Sequence, residues 1–492
     1  MIDPADERHV VGAVPKQLLV GGAWTDAAGG ATFAVRDPAT GDVLCSVADA
    51  TPQDGMSALA AAVHAQAAFA ATTPRHRADM LAAAYRLVQQ RLEDLALLIT
   101  LEMGKPLAEA RGEVAYAAEF FRHFAEEAVR ISGDYQAEPE DGSRLLVSKV
   151  PVGPCLLITP WNYPLAMGAC ELAPAIAAGC STVVKPSSQA PLSMLALVAI
   201  LCEAGVPDGV VNVVTTSNPG AVVEPQIRSG LARKLTFTGS TDVGRHLLRQ
   251  AADQVLRTAA ELSGNTAFVV FPDADLDVAL EAAVRAKMRN AGQSASAANR
   301  FYVHRDVSEE FTRRLVGRMG GLKPGRGTEA GVEVGPLVNP SARDRVQTFV
   351  DDAVARGARV RLGGRPRGGD DCFYPATVLT DVPDSALIRH EDVFGPVAAI
   401  SSFDTEAELI AAANDTRYGL AGYLYTRDLN RALRVAEALE CGMVGINQGS
   451  VASVASPFGG IKASGLGREG GRVGIEEFLE SKVIGIPRAE PA

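Results

Sequence analysis

Residues 154–185 read PCLLITPWNYPLAMGACELAPAIAAGCSTVVK, and the pattern changes twice within this one segment. The apolar run Pro154–Thr159 is typical of a short buried strand. The Ala- and Leu-rich part that follows, as far as Ala178, favours a helix, and Ser181–Lys185 is again typical of a strand. A buried strand, a helix and a second buried strand in this order predict two parallel strands joined by a crossover helix.

The same alternation continues beyond this segment. A helical pattern over Pro191–Glu203 is followed by strand patterns at Val210–Val214 and Lys234–Gly239. A similar alternation resumes after Thr266 and runs to about Asn447. Strands that alternate with helices in this way indicate doubly wound parallel sheets. The sequence therefore predicts an α/β fold with two doubly wound α/β domains.

The N-terminal part has a different pattern. Short β-like runs end in turn signals, and a helical pattern rich in Ala, Leu, Arg and Glu then extends from Pro52 to Ile131. Thr51-Pro52 and Thr73-Pro74 are typical helix starts, and Met103–Pro106 indicates a break between two helices.

Two further segments have the pattern of exposed strands. Arg144–Val150 follows a polar stretch, and Phe478–Ile486 lies near the end of the chain. Both are predicted to lie at sheet edges, and an exposed edge is a liability unless another chain pairs with it. The sequence therefore predicts a homodimer or homotetramer in which these strands form a small β oligomerisation arm.

The composition excludes several classes of protein. With 492 residues, of which 47% are apolar and 21% charged, the chain can bury a large core. Its net charge is −11, which argues against binding to nucleic acid or to an anionic membrane. Residues 1–12 lack the apolar core of a secretory signal. Glu171 and Pro174 interrupt the most apolar stretch, so a cytoplasmic protein without a membrane span is predicted.

The cysteines and histidines argue against a metal site or a disulfide framework. No two of the seven cysteines are spaced as in CxxC, and the seven histidines form no HExxH pair. The sequence therefore predicts reduced thiols and no bound metal.

Three motifs lie at predicted strand ends, where open α/β sheets bind ligands. Thr159–Pro164 contains Asn162, whose amide can donate to a developing oxyanion, although an asparagine also suits a turn there. Lys185 can bind ribose hydroxyls or a phosphate, or it can simply be solvated. Phe237–Gly244 reads as a strand, a glycine turn and a helix start, whose backbone N–H groups favour a pyrophosphate.

Together with motifs elsewhere in the chain, these segments resemble the NAD(P)-dependent aldehyde dehydrogenase superfamily, most of all its succinate-semialdehyde dehydrogenase branch. The other matching stretches are Gly22–Trp24, Glu102–Pro106, Glu261–Asn265, Asn290–Gln293, Phe394–Pro396 and Pro457–Glu469. The resemblance implies a dinucleotide-binding domain over residues 1–130 and 152–263, a catalytic domain over 264–445, and an oligomerisation arm over 131–151 and 478–492.

The resemblance also implies roles for the matched residues. Asn162 would hold the oxyanion, and Glu261 would be the general base. Lys185 would bind the adenosine ribose, and Ser240 the pyrophosphate. The cofactor-binding residues that it implies are Thr159, Pro160, Trp161, Lys185, Ser188, Gly239, Ser240, Gly244, Leu262, Asp392 and Phe394.

The nucleophile of the family is missing. The pattern that begins at Asn290 normally ends in the cysteine whose thiolate attacks the aldehyde, and the residue at that position is Ala295. Two explanations are open. An engineered Cys-to-Ala change fits the small residues around this position. A natural loss fits Ser263, where the family prefers glycine, and Asp392, where it usually has glutamate.

Three functions therefore stay open. The first is NAD(P)-dependent oxidation of an aldehyde, such as succinate semialdehyde, to a carboxylic acid. The second is thiol-independent oxidation of a hemiaminal or hydrate to an amide, lactam or acid, with Glu261 taking the hydroxyl proton. The third is a non-catalytic scaffold that binds the cofactor.

The resemblance implies a carboxylate on the substrate, because the family's succinate-semialdehyde enzymes usually hold one with two arginines. Arg289 matches one of these and can bind a carboxylate in a bidentate fashion, unless it pairs with a core acid. The other position is Cys170, so only half of the pair is present. The implied substrate-binding residues are Tyr163, Cys170, Arg289, Ser294, Ser296 and Phe458.

The choice between NADP⁺ and NAD⁺ depends on Ser188. NAD-preferring members of the family often have a glutamate there, which binds the ribose hydroxyls and repels a 2′-phosphate. A serine accommodates the phosphate, so the sequence favours NADP⁺ over NAD⁺.

Overall fold

The computed structural model describes residues 3–366, 368 and 371–488. Its α-helices are α1 (Pro4–Ala13), α2 (Pro52–Ala70), α3 (Pro74–Gln90), α4 (Leu92–Met103), α5 (Leu107–Ala128), α6 (Pro164–Ala178), α7 (Leu192–Glu203), α8 (Pro219–Arg228), α9 (Thr241–Ala252), α10 (Leu276–Met288), α11 (Arg305–Gly320), α12 (Pro340–Ala355), α13 (Glu406–Asn414), α14 (Leu429–Ala438) and α15 (Gly471–Glu476).

The strands that precede the middle of the chain are β1 (Leu18–Val20), β2 (Ala23–Thr25), β3 (Thr32–Arg36), β4 (Val43–Ala48), β5 (Asp134–Ala137), β6 (Arg144–Pro151), β7 (Cys155–Ile158), β8 (Thr182–Lys185), β9 (Val211–Val213), β10 (Lys234–Thr238) and β11 (Arg257–Glu261). The strands that follow are β12 (Thr266–Val270), β13 (Ala298–His304), β14 (Arg359–Leu362), β15 (Thr377–Thr380), β16 (Val397–Phe403), β17 (Tyr418–Gly419), β18 (Ala421–Tyr425), β19 (Met443–Ile446), β20 (Ile461–Lys462), β21 (Gly465–Leu466) and β22 (Leu479–Ile486).

The first large sheet has the strand order β2-β1-β9-β8-β7-β10-β11-β21. From β9 to β11 its strands are parallel. Leu157 packs into the core on one face, and Leu156 and Ile158 pack into the core on the other. The chain passes from β7 to β8 and β9 on one side and then crosses to β10 and β11 on the other. The carboxyl ends of β7 and β10 are therefore the place where a doubly wound sheet binds ligands.

The second large sheet has the order β14-β15-β16-β13-β12-β18-β19. Its central strand β12 is parallel to β13 and to β18. Phe268 and Val270 pack into the core on one face, and Ala267 and Val269 into the core on the other. Both faces of this sheet are therefore covered, as a parallel sheet requires. The predicted fold of two doubly wound α/β units is confirmed.

A small third sheet has the order β22-β6-β5. β22 pairs with β6 over its whole length, from Leu479 opposite Pro151 to Ile486 opposite Arg144. The prediction that β6 is an edge strand is wrong, because the polar stretch before it forms β5 and pairs with its other side. Residues 489–492 of the predicted arm lie outside the described residues. The oligomer and the domain boundaries stay predictions.

A short segment near the C-terminus, residues 461–466, joins the two large α/β units, and we call it the connecting segment. Its first strand, β20, pairs with β17 beside the second sheet. Its second strand, β21, pairs with β11 at the edge of the first sheet. Only glycine fits at the start of β21, because a Cβ at Gly465 would lie 1.9 Å from the carbonyl oxygen of Ala260. The connecting segment therefore forms backbone hydrogen bonds with both units.

Local capping explains where several helices begin. The side chain of Thr51 and that of Asp54 each accept a backbone N–H of the other residue at the start of α2, and the Thr73 side chain caps α3. The predicted helix starts at Pro52 and Pro74 are confirmed. The sequence-based prediction misses α1, which buries only Val10 and Val11. Within the described ranges, no helix is both long enough and apolar enough to cross a membrane.

Candidate active site

One large cavity lies at the carboxyl ends of β7 and β10 and reaches into the second α/β unit. Its volume is about 630 Å³, which is typical of a small-molecule or cofactor site. The loop after β7 contributes Trp161 and Asn162, and the loop after β10 contributes Gly239 and Ser240. The second unit contributes the segment around Ala295. The sheet topology therefore brings the predicted motifs to one place.

Ala295 follows a tight left-handed turn. Asn290 and Ala291 both have positive φ, 54° and 53°, which is rare for residues with a side chain. Gly292 has no room for a side chain, because a Cβ there would lie 2.2 Å from the carbonyl oxygen of Gly395. The turn leaves Ala295 half-buried at the cavity wall. At this position the cavity meets a methyl group.

Ser294 and Ser296, on either side of Ala295, are both buried in the cavity wall. Their Oγ atoms lie 3.3 Å apart and form a hydrogen bond with each other. No hydrogen bond to a basic side chain is recorded for either hydroxyl in the described part of the chain. Neither serine therefore has the adjacent base that a serine nucleophile needs.

Asn162 is held from two sides. Its Nδ2 donates to the carbonyl oxygen of Gln293 at 3.1 Å. The backbone carbonyl oxygen of Asn162 accepts from Lys105 Nζ at 2.9 Å and from Asn290 Nδ2 at 3.0 Å. Since an amide nitrogen has two N–H groups, one donor stays available toward the cavity. This is the donor that oxyanion stabilisation requires.

The Lys105 ammonium connects this loop to α5. It forms a fully buried ion pair with Glu113, and it lies 4.0 Å from the centre of the Tyr163 ring. Glu113 also accepts the backbone N–H groups of Leu165 and Ala166 at 3.0 and 3.2 Å, so it binds the first turn of α6. The pair fixes the loop that carries Asn162 between two helices.

The Glu261 carboxyl group ends β11 and lines the same cavity. It is 6% exposed, and neither oxygen accepts or donates a hydrogen bond to any described residue. A Cβ at Gly459 would lie 2.6 Å from its Oε1, so the glycine leaves room for it. Burial raises the pKa of Glu261 well above its ordinary value, and the neighbouring Glu469 adds to the effect. An unpartnered carboxyl of this kind is suited to exchange a proton with a ligand.

The Cys170 thiol also lines the cavity, but its surroundings do not suit a nucleophile. Its Sγ donates to Glu469 Oε2 at 3.3 Å. Burial raises its pKa well above the ordinary value, and the nearby Glu469 and Glu171 raise it further. The thiol is therefore protonated, whereas the nucleophilic form of cysteine is the thiolate.

The cofactor side of the cavity has an open helix N-terminus. Ser240 is the N-cap residue of α9, and its side chain makes no capping hydrogen bond, so backbone N–H groups there are available to an anion. Trp161 and Phe394 contact each other edge to face, with ring centres 5.9 Å apart. Asp392 lies on the same side and is 7% exposed. This arrangement fits a dinucleotide, with the pyrophosphate at α9.

Four of the residues predicted to bind the cofactor lie outside the cavity wall: Thr159, Lys185, Ser188 and Gly244. Lys185 ends β8, beside the β7 loop, and burial lowers its pKa to about 8. No hydrogen bond or ion pair of its ammonium is recorded among the described residues, so it is free for a ligand. Gly244 also packs closely, since a Cβ there would lie 2.4 Å from Leu262 Cδ2, and its contact with a cofactor stays a prediction.

The predicted substrate side contains the half-buried cation of Arg289. The guanidinium carbon of Arg289 lies 5.6 Å from the centre of the Tyr163 ring, and both residues line the cavity. No ion pair of Arg289 is recorded in the described ranges. The nearby carboxyl of Glu109 instead accepts the backbone N–H of Asn290 at 2.7 Å. Arg289 interacts electrostatically with Tyr163 and Glu109, but no ion pair fixes it, so it can bind a carboxylate.

The cavity brings together most of the site residues that the sequence predicts. Those that line it are Pro160, Trp161, Asn162, Tyr163, Cys170, Gly239, Ser240, Glu261, Leu262, Arg289, Ser294, Ala295, Ser296, Asp392, Phe394 and Phe458. The sequence-based prediction misses Lys105 and Glu113. Lys105 lies in the matched stretch Glu102–Pro106, so the motif was visible, although nothing in it indicated contact with Asn162.

The chain is similar to known proteins over most of its length. A sequence model described as the aldehyde dehydrogenase family matches residues 24–484. The chain is 53% identical to a succinate-semialdehyde dehydrogenase of Paenarthrobacter nicotinovorans over 444 residues, which is 90% of this chain and 99% of that protein. It is 48% identical to an NADP(+) succinate-semialdehyde dehydrogenase of Escherichia coli (strain K12), covering 95% of this chain and 97% of that one.

The solved structures give the same result. The crystal structure of an NADP-dependent enzyme from E. coli superposes with a TM-score of 0.95 at 47% sequence identity. The match covers 96% of this chain and 98% of the other. The similarity therefore extends over both large sheets.

Proposed function

This chain belongs to the aldehyde dehydrogenase family, and from that premise we propose that it oxidises a carboxylate-bearing aldehyde to the acid with NADP⁺ or NAD⁺. The single observation that carries the proposal is that Asn162, Glu261 and Ala295 face one cavity. The available guanidinium of Arg289 supports a substrate with a carboxylate, and the succinate-semialdehyde dehydrogenases among its relatives act on such a compound.

Because Ala295 has no thiol, we propose that the chain acts on the hydrate of the aldehyde, whose carbon is already tetrahedral. The Asn162 amide donates to one hydroxyl oxygen of the hydrate. Glu261 takes the proton of the other hydroxyl as the C–H bond breaks, the hydride leaves with its electron pair, and a new C=O bond forms. The products are the carboxylic acid, the reduced cofactor and one proton. A hemiaminal has the same tetrahedral carbon and would give an amide or a lactam.

A nicotinamide dinucleotide supplies the hydride acceptor when it is bound. The backbone of Gly239 and Ser240 would hold its pyrophosphate at the start of α9. Lys185 would gain a partner in a ribose hydroxyl or phosphate, since its ammonium is buried and otherwise unpaired. Asp392 and Phe394 would contact the nicotinamide end. These roles are supported by the open helix N-terminus and the unpaired ammonium.

The experiment that tests the function is reduced-cofactor formation from succinate semialdehyde as a function of pH. Burial raises the pKa of Glu261 well above its ordinary value, so its basic form is populated only at higher pH than in an ordinary glutamate. The rate is therefore expected to rise as the pH increases through that pKa. Glu261→Gln should lower the rate by about 10²- to 10⁴-fold, the usual contribution of a general base. A rate that is independent of both pH and residue 261 would contradict the proposal.

Cofactor preference is tested separately by calorimetric titration, which needs no catalysis. We expect saturable binding of both cofactors, with NADP⁺ tighter than NAD⁺, because Ser188 leaves room for the 2′-phosphate. In Ser188→Glu the carboxylate should repel that phosphate and reverse the order of the two affinities. Tighter binding of NAD⁺ by the unaltered chain would contradict the role of Ser188.

A further inference from the structure

A fully buried lysine near the cavity has no part in the chemistry described above. Lys287 lies in the last turn of α10 and is 0% exposed. Its Nζ donates to Asn299 Oδ1 at 2.8 Å, and no ion pair of this ammonium is recorded among the described residues. A Cβ at Gly292 would lie 3.1 Å from Lys287 Cε, so the glycine turn leaves space for the lysine. Burying an ammonium group costs free energy unless the charge is paired or hydrogen-bonded.

The lysine is linked to the cavity through one amide. Asn299 Nδ2 donates to Asp392 Oδ1 at 3.3 Å, and the backbone N–H of Gly264 donates to Asp392 Oδ2, also at 3.3 Å. Because an ammonium can only donate, the Asn299 oxygen must face Lys287 and its NH₂ group must face Asp392. The result is an ordered chain from ammonium to amide to carboxylate, with Asp392 at the cavity wall.

The groups around Asp392 change the pKa of its carboxyl, and Lys287 is one of them. Burial raises the pKa of Asp392 to about 7, while Asn299, Gly264, Lys287 and Arg345 oppose that effect. Burial lowers the pKa of Lys287 to about 7, and Asp392 opposes that shift. Tyr418 also interacts electrostatically with the carboxyl. In its charged form Lys287 thus favours the ionised form of a buried carboxyl on the cofactor side.

We propose that Lys287 is a positioning residue, which acts through Asn299 to hold the Asp392 carboxylate ionised and oriented as an acceptor for a ribose hydroxyl of the bound dinucleotide. The inference rests on the proposed function, because it assumes that the Asp392 side of the cavity binds the cofactor. An oriented carboxylate accepts a hydroxyl more strongly than a neutral carboxyl that is free to turn. Lys287 itself touches neither cofactor nor substrate.

The test is calorimetric titration of Lys287→Met with NAD⁺ between pH 6 and 9. NAD⁺ is used because it lacks the titrating 2′-phosphate. Affinity of the unaltered protein should rise with pH as Asp392 ionises. In Lys287→Met the loss of the cation should weaken binding about 10-fold near neutral pH and move the rise by about one pH unit to higher pH. Lys323→Met, which changes an exposed lysine, is the matched control and should change neither.

A double variant and a second single variant complete the test. Lys287→Met with Asp392→Asn should bind no more weakly than Asp392→Asn alone, since residues that act as one unit are not additive. Should Lys287→Met fail to fold, Asp392→Asn still decides, because unchanged affinity and pH profile there would overturn the inference. Unchanged binding by folded Lys287→Met would overturn it as well. Failure of the unaltered protein to bind either cofactor would instead contradict the proposed function.

Discussion

Ala295→Cys is expected to raise kcat/KM for succinate semialdehyde by about 10⁴- to 10⁶-fold, since loss of a nucleophile costs this much in other enzymes. The turn at Asn290 and Ala291 would present the thiol at the wall of the cavity that Asn162 also lines. Glu261 would then activate the water that releases the acid. The measurement is reduced cofactor formed from succinate semialdehyde and from neutral aldehydes of similar length.

The matched control for this change is Ala295→Ser. A serine adds an atom of similar size, but a hydroxyl is a much weaker nucleophile than a thiolate, so activity should stay near that of the chain as written. Equal activity in the cysteine and serine variants would contradict the assignment of residue 295. If neither Ala295→Cys nor the unaltered chain reduces a cofactor that both bind, the result would favour a non-catalytic scaffold over an enzyme.

Lys105→Met is expected to lower the free energy of unfolding by about 3–5 kcal/mol, because it leaves Glu113 as a buried charge without its partner. It also removes one of the two donors to the carbonyl oxygen of Asn162. The measurement is unfolding by urea followed through tryptophan fluorescence. Trp161 lies next to Asn162 and is one of only two tryptophans, so the signal reports on the loop concerned.

Two further variants separate the buried charge from a general effect of losing a cation. Arg111 pairs with Glu93 at the surface, where their side chains are 44% and 65% exposed, so Arg111→Met should cost less than about 1 kcal/mol. Lys105→Met combined with Glu113→Gln should be more stable than Lys105→Met alone, because the neutral amide still accepts the N–H groups of α6. A loss in Lys105→Met no larger than that in Arg111→Met would contradict the importance of the buried pair.

Features set by neighbouring residues were predictable from the sequence. The helix starts at Pro52 and Pro74 depend on caps within three residues, and the buried strands of the parallel sheet are short apolar runs. By contrast, β5 has a polar sequence and exists because β6 is beside it. The prediction that β6 is an edge strand was wrong for the same reason, because the sequence of one strand does not show which other strands pair with it.

In the candidate site, too, features set by nearby residues were predictable and contacts between distant parts of the chain were not. Asn162, Glu261 and Ala295 lie in motifs that can be matched one by one, so their presence in one cavity was predictable. Lys105 and Lys287 could not be assigned roles, because their partners come from other elements of the fold. Gly244 was predicted to bind the cofactor, and that role stays a prediction. Its close packing against the side chain of Leu262 could not be predicted, because Leu262 lies in a later part of the chain.

The connecting segment has an evolutionary consequence. The strand that carries Glu261 is completed by β21, which the chain supplies only after it has finished the second α/β unit. A recombination event that exchanged one unit for a foreign one would separate this strand from its partner and expose the backbone next to Glu261. Such chimaeras should be poor starting points for new enzymes, whereas substitutions along the cavity wall leave the connection intact. In a protein built this way, new specificities are therefore expected to arise by substitutions within the existing fold rather than by exchange of whole α/β units.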